Sequence, residues 1–140
     1  MTPSQEKAAR IVETMFAKDA FSRWLGIERL AQDAGSCTLR MTVRAEMLNG
    51  FGIAHGAITF ALADSALAFA SNSQGRHAVS IETSISHTEA TREGDVLIAI
   101  AEEEHLGNRV AFYRVRVLEE QSGRTLGLFK GTVYRTSKEW

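Results

Sequence analysis

The segment from Leu48 to Gly75 constrains the fold more than any other part of this chain, because it contains a run too apolar to lie at a surface. From Ala57 to Ala70 every residue except Asp64 is Ala, Ile, Thr, Phe, Leu or Ser. Apolar side chains therefore surround the predicted helix, which other elements must cover on nearly every side. An ionised carboxylate in such a helix is costly unless it is paired, hydrogen-bonded or open to a wet cleft. Asp64 is the first candidate for a functional residue.

The size and charge of the chain limit its classes of function. Its 140 residues fit one domain, residues 1–140. The 16 basic and 17 acidic residues leave a net charge of -1, which gives no broad attraction to nucleic acid or to an anionic membrane. A single cysteine, Cys37, excludes an intramolecular disulfide, and Met1–Arg10 lacks the apolar core of a signal peptide. We expect a cytoplasmic protein without nucleic-acid or membrane partners.

Two helices are predicted before the first strand. Thr2 is a typical residue for a helix N-cap, and Pro3 suits the first helical position. Gln5 follows three residues after Thr2, as in a capping box. Apolar residues then recur at helical spacing: Ala8, Ile11, Val12, Met15 and Phe16. A second, short helix is predicted from Asp19 to Leu25, ending at Gly26.

The remaining segments alternate between apolar and polar residues, as strands do. A hairpin is predicted from residues 27–32 and 36–43, around the turn composition Asp33-Ala34-Gly35. Four further strands are predicted after the apolar helix: residues 78–86, 96–104, 110–119 and 125–136. Because short turns join the last strands, the sheet should be largely antiparallel, with its concave side on the helix. The sequence thus predicts an α+β fold in which an antiparallel sheet wraps around one long central apolar helix.

The strongest pattern for chemistry is His55-Gly56 at the start of the predicted apolar helix. The first N–H groups of a helix are unpaired and carry partial positive charge, which suits a developing oxyanion. Asp64 lies about 12 Å further along the axis, too far to act on the same small group within one chain. A second copy with its helix antiparallel would bring Asp64 beside the partner's Gly56. The histidines and Cys37 lack ligand spacing, so no metal site is predicted.

Four segments, in order and with their spacing, resemble one family: Met47–Gly50, His55–Gly56, Leu62–Gly75 and Phe129–Gly131. They are similar to the hotdog-fold acyl-CoA thioesterases, and within these to the phenylacetate-degradation (PaaI-like) group. The resemblance covers nearly the whole chain. It implies hydrolysis of a small aryl acyl-CoA, phenylacetyl-CoA or a hydroxylated form, with no cofactor because coenzyme A is part of the substrate. It also implies a homotetramer, a dimer of dimers with sites at the dimer interface.

The resemblance assigns roles to four residues. Asp64 would activate water or attack the thioester carbonyl, and the Gly56 N–H would polarise that carbonyl. Asn49 would orient the thioester or the water, and Ser80 corresponds to a serine that some relatives use beside the carboxylate. The family further implies that one subunit contributes Asn49 and Gly56 while its neighbour contributes Asp64 and Ser80.

Four other residues are candidates for substrate contacts. His55 is expected to shape the loop before the helix, and Ala57 adds a methyl group near the oxyanion site, where many relatives have glycine. Ala68, beside Ser71, is small enough to border a pocket for a ring. Arg92 is a candidate for binding the phosphates of coenzyme A, as are three other basic residues: Arg109, Lys130 and Arg135.

Two other functions fit parts of this pattern. A hotdog-fold hydratase or dehydratase of acyl thioesters would use His55 with Asp64, but such enzymes often frame their histidine with prolines, and the only proline here is Pro3. A non-catalytic acyl-CoA-binding module would have no need of a costly carboxylate. For a thioesterase, medium-chain acyl-CoA is the alternative substrate class.

Overall fold

The predicted helices and strands are present in a computed structural model that describes all residues from Met1 to Trp140. Three α-helices, one short 3₁₀ helix at Ala45–Met47 and six strands follow one another. In chain order the named elements are α1 (Pro3–Ala17), α2 (Ala20–Leu25), β1 (Glu28–Asp33), β2 (Ser36–Thr42), α3 (Gly56–Asn72), β3 (Arg76–His87), β4 (Val96–Leu106), β5 (Val110–Glu119) and β6 (Thr125–Glu139).

Helix α1 begins and helix α2 ends where the local sequence predicts, and Asp19, the predicted first residue of α2, is its N-cap. The Thr2 hydroxyl accepts the N–H of Gln5 at 3.1 Å, and the Gln5 side chain accepts the N–H of Thr2 at 3.0 Å. Helix α2 ends at Gly26, whose φ of 76° lies in the left-handed region that favours glycine. The hydroxyls of Ser22 and Ser65 are 2.7 Å apart, so a hydrogen bond holds α2 against α3.

The apolar helix, α3, is covered by the concave face of a six-stranded antiparallel sheet. Eleven of its 17 residues are buried. The alternation predicted for β2 is confirmed, because Cys37, Leu39 and Met41 are buried in the core beneath α3. Phe69 and Tyr113 are the largest side chains that are fully buried. No helix of the chain is long and apolar enough to cross a membrane.

Strand β3 occupies one edge of the sheet, whose order is β1-β2-β4-β5-β6-β3. It pairs with β6 and not with β4, the next strand in sequence. A register shift between Ser80 and Glu82 interrupts the regular alternation. Val79 and Ile81 on either side of Ser80 are 57% and 60% exposed. A 12-residue edge strand with exposed β-branched side chains is a surface suited to pairing with another strand.

Candidate active site

The N-terminal end of α3 presents an unpaired backbone donor. His55 caps the helix: its Nδ1 accepts the N–H of Ala57 at 3.1 Å, and its carbonyl accepts the N–H of Ile58 at 2.8 Å. The N–H of Gly56, between them, donates no hydrogen bond within the chain. Because the first N–H groups of a helix carry partial positive charge, this N–H is suited to an oxyanion.

A cleft of about 370 Å³ opens at this end of α3, and we call it the Gly56 cleft. It is lined by Asn49, Ile53, Ala54, Gly56 and His87–Thr91. The Asn49 side-chain oxygen accepts the N–H groups of Phe51 at 2.9 Å and Ile53 at 3.4 Å, which fixes the loop. The Asn49 side-chain NH₂ makes no hydrogen bond in the chain, so it is free to bind a ligand.

His87 lies against Gly56. A Cβ added at Gly56 would be 3.1 Å from the His87 Nε2, so the imidazole occupies the space that a larger residue at position 56 would need. His87 carries no functional signal in the sequence, because nothing in the local pattern at the end of β3 indicates contact with the start of α3.

Asp64 has no partner within the chain. It is half-buried, and its carboxylate makes neither a hydrogen bond nor an ion pair. Burial raises the pKa of the Asp64 carboxyl, and the negative charge of Asp19 raises it further. Neighbouring Ser65 is hydrogen-bonded to Ser22 instead. Within one chain, no nearby hydroxyl or amide therefore satisfies the Asp64 carboxylate.

Asp64 lines a second cleft of about 370 Å³, which we call the Asp64 cleft. Its other lining residues are Met15, Leu67, Ala68, Ser71, Asn72, His77, Ala78, Val79, Ser80, Val133 and Trp140. An apolar cleft with one carboxylate of raised pKa is typical of a ligand site. Within one chain, the structure brings Ser80 and Ala68 to Asp64, and it places Asn49 with Gly56 in the other cleft.

The remaining candidates lie outside both clefts. His55 and Ala57 are exposed at the start of α3. Arg92 is exposed one residue beyond the Gly56 cleft, with its backbone N–H donating to Asp95 at 2.8 Å and its guanidinium unpaired. Arg109 and Arg135 are hydrogen-bonded at the turn between β4 and β5 and along β6, so they are less available to a phosphate than Arg92.

The sequence profile of the thioesterase superfamily matches residues 51–126, which include Gly56, Asp64 and Ser80. Over 129 residues the chain is 37% identical to acyl-coenzyme A thioesterase PaaI of Escherichia coli, covering 92% of this chain and 91% of that protein. This chain belongs to the thioesterase superfamily.

Solved structures agree with this assignment. The structure of E. coli PaaI, from the phenylacetic acid degradation operon, has a TM-score of 0.94 and 35% identity and covers 97% of this chain and 98% of its own. A hypothetical thioesterase from Streptococcus pneumoniae, solved with coenzyme A, has a TM-score of 0.84 and 27% identity, covering 91% of this chain and 98% of its own. The hotdog fold and the PaaI-like resemblance predicted from the sequence motifs are confirmed.

Proposed function

We propose that the protein is an acyl-CoA thioesterase that hydrolyses a small aryl acyl-CoA, phenylacetyl-CoA or a hydroxylated form, to the free acid and coenzyme A. The observation that carries this proposal is the unpaired, half-buried carboxylate of Asp64 at an apolar cleft. The similar protein from E. coli is named an acyl-coenzyme A thioesterase, and it comes from the phenylacetic acid degradation operon. The name supports the reaction, and the operon supports the aryl substrate.

The chemistry needs a base or nucleophile and a donor for the carbonyl oxygen. Asp64 either takes a proton from the water that attacks the carbonyl carbon or attacks that carbon itself; in both cases negative charge develops on the carbonyl oxygen. The Gly56 N–H stabilises this charge, with Asn49 and Ser80 orienting the reactants. The C–S bond then breaks, and the thiolate leaves and later takes a proton. Where Asp64 has attacked the carbon itself, an acyl anhydride on Asp64 remains, and a water molecule hydrolyses it to release the free acid and restore the carboxylate. Because an ordinary thiol has a pKa of about 8.5, its thiolate leaves without a strong acid, and no cofactor is needed.

A second copy of the chain completes the site in this proposal. The Asp64 cleft includes Ser80 of β3, and the Gly56 cleft includes His87 of the same strand. If two copies pair antiparallel along β3 around a two-fold axis between Thr83 and Ser84, Ser80 lies opposite the partner's His87. Each Asp64 cleft then adjoins the Gly56 cleft of the other copy.

The exposed edge strand supports this pairing. Val79 and Ile81 would leave water when the two copies of β3 meet, and the unpaired edge of the sheet would be removed. We therefore propose a homodimer as the smallest active unit. Two such dimers would form the tetramer that the family resemblance implies.

Substitution of Asp64 tests the proposed activity. We expect Asp64→Asn and Asp64→Ala to lower the release of thiol from phenylacetyl-CoA by at least about 10²-fold, the scale of general base catalysis. Binding of phenylacetyl-CoA, measured by calorimetry, should remain. Asp33→Asn, at an aspartate outside both clefts, is the matched control. Hydrolysis at the wild-type rate by either Asp64 variant would contradict the mechanism.

A panel of substrates separates the competing functions. Specificity constants for aryl and aliphatic acyl-CoAs test the substrate class. Hydration of an enoyl-CoA without thiol release would instead establish a hydratase. Binding of acyl-CoA without either reaction would indicate a binding module.

A further inference from the structure

Two stacked aromatic rings form part of the wall of the Asp64 cleft. The rings of His77 and Trp140 have centroids 3.9 Å apart and an interplanar angle of 17°, and both residues line this cleft. His77 belongs to β3 and Trp140 follows β6, so the two neighbouring strands bring them together.

Trp140 is held in place by hydrogen bonds. Its Nε1 donates to the side-chain oxygen of Asn72 at 3.0 Å, and its backbone N–H donates to the carbonyl of Gly75 at 3.0 Å. Asn72 is itself only 3% exposed. Its NH₂ donates to the carbonyls of Ala68 at 2.9 Å and Ala78 at 3.0 Å, and its oxygen also accepts the N–H of Ala78 at 3.0 Å. Every hydrogen-bonding group of the Asn72 side chain is used, so the indole is fixed relative to α3 and β3.

The position of Asn72 sets the length of the cleft. Asn72 follows Asp64 by eight residues in α3, which is about 12 Å along the helix axis. The small residues Ala68 and Ser71 lie between them on the cleft wall. An acyl group with its carbonyl at Asp64 and its distal end at the stacked rings has room for a ring or a medium-length chain. An acyl group that follows α3 from Asp64 and extends beyond about 12 Å reaches the indole held by Asn72.

We propose that Trp140, with His77 stacked on it, is a specificity-determining residue that ends the acyl pocket and selects ring-bearing or medium-length acyl groups over long chains. The inference rests on the proposed thioesterase function. Aromatic side chains at the distal end also give an aryl group edge or face contacts that an alkyl chain cannot match. Trp140 acts on the choice of substrate and not on the reacting atoms.

Specificity ratios test this role. The measured quantity is kcat/KM for dodecanoyl-CoA divided by kcat/KM for phenylacetyl-CoA. Removing a pocket wall changes such ratios by about tenfold or more, so we expect Trp140→Ala to raise the ratio by that factor and Trp140→Phe to stay nearer the wild type. The control is Trp24→Ala, because Trp24 is 48% exposed, similar to the 42% of Trp140, and lies outside the cleft. An unchanged ratio in Trp140→Ala would overturn the proposal.

Fluorescence provides a second readout that does not need turnover. The chain has two tryptophans, so Trp24→Phe leaves Trp140 as the only indole. In a Trp24→Phe, Asp64→Asn background, we expect phenylacetyl-CoA to change the tryptophan emission and coenzyme A alone to leave it unchanged. If calorimetry detects phenylacetyl-CoA binding while the emission stays constant, the acyl group does not reach Trp140 and the inference fails. If the wild type hydrolyses no acyl-CoA, the thioesterase proposal fails, and the emission still reports whether the ring reaches Trp140.

Discussion

Two inactive variants should restore activity when they are combined, because each proposed site takes Gly56 from one copy and Asp64 from the other. The first variant is Gly56→Pro, which removes the N–H proposed to bind the oxyanion. Gly56 is the first residue of α3, a position that tolerates proline, and His55 before it has φ of -59° and ψ of 137°, which suit a residue that precedes proline. The helix start should therefore survive the change.

Gly56→Ala is the matched control, because it keeps the N–H. Alanine and proline both place a Cβ at the point 3.1 Å from His87 Nε2, so both require the imidazole to shift by a few tenths of an ångström. We expect Gly56→Pro to lower kcat by about 10²- to 10³-fold, the loss typical of removing one oxyanion donor. Gly56→Ala should lose much less. Equal losses in the two variants would show that the Cβ, and not the missing N–H, impairs the enzyme.

The size of the restoration follows from two-fold symmetry. When equal amounts of Gly56→Pro and Asp64→Asn chains exchange at random, half of the dimers contain one of each. Each mixed dimer has one site with neither substitution and one site with both, so about a quarter of all sites are intact. Activity per chain should approach a quarter of the wild-type value. Sites contained within single chains would all carry one defect, and no activity would return.

The assay is thiol release after the two chains have been refolded together or co-expressed with different tags. Circular dichroism establishes that each variant is folded, and Asn49→Ala replaces Gly56→Pro if the proline variant does not fold. Activity of the mixture equal to the average of the two separate variants would refute a site shared between copies.

Two further predictions concern stability and pH. Gly131→Ala would place a Cβ 2.6 Å from Leu67 Cδ2, so urea denaturation should show that overpacking lowers the free energy of unfolding by about 1–3 kcal/mol. Gly127→Ala, where the nearest contact of the new Cβ is 3.2 Å, should lower it less. Equal stability of the two variants would contradict the close contact at Gly131. Burial and Asp19 raise the pKa of Asp64, so the acid limb of the kcat/KM profile should lie above the ordinary pH range of an aspartate. Between the ordinary and the raised pKa, the folded chain holds this proton more tightly than the unfolded chain does. The free energy of unfolding should therefore fall as pH rises through that interval. Asp19→Asn, which preserves the cap of α2, should move that limb to lower pH, and an unmoved limb would assign it to another group.

The sequence alone determined the elements whose causes are local. The start of α1 depends on hydrogen bonds between Thr2 and Gln5, three residues apart, and the end of α2 on the left-handed backbone of Gly26. The continuous apolar run of α3 required burial on every side, whatever covered it. The same run made Asp64 conspicuous, and the helix start at Gly56 identified the second half of the proposed site.

Tertiary structure decided what depends on distant parts of the chain. Alternation in β3 indicates a strand, but the choice of β6 as its neighbour and the register shift beside Ser80 depend on how the whole sheet packs on α3. The exposure of Val79 and Ile81 follows from that edge position. His87 reaches Gly56 only because β3 ends beside the start of α3.

The wall of the Asp64 cleft also depends on long-range packing and not on local sequence. Asn72 and Trp140 are 68 residues apart, and their hydrogen bond exists because α3 ends beside β3 while β6 pairs with that strand. No local propensity encodes such a contact, since it requires the packing of three elements at once. Local hydrogen bonding and hydrophobic period therefore predicted the two half-sites, whereas long-range packing alone decided which side chains surround them.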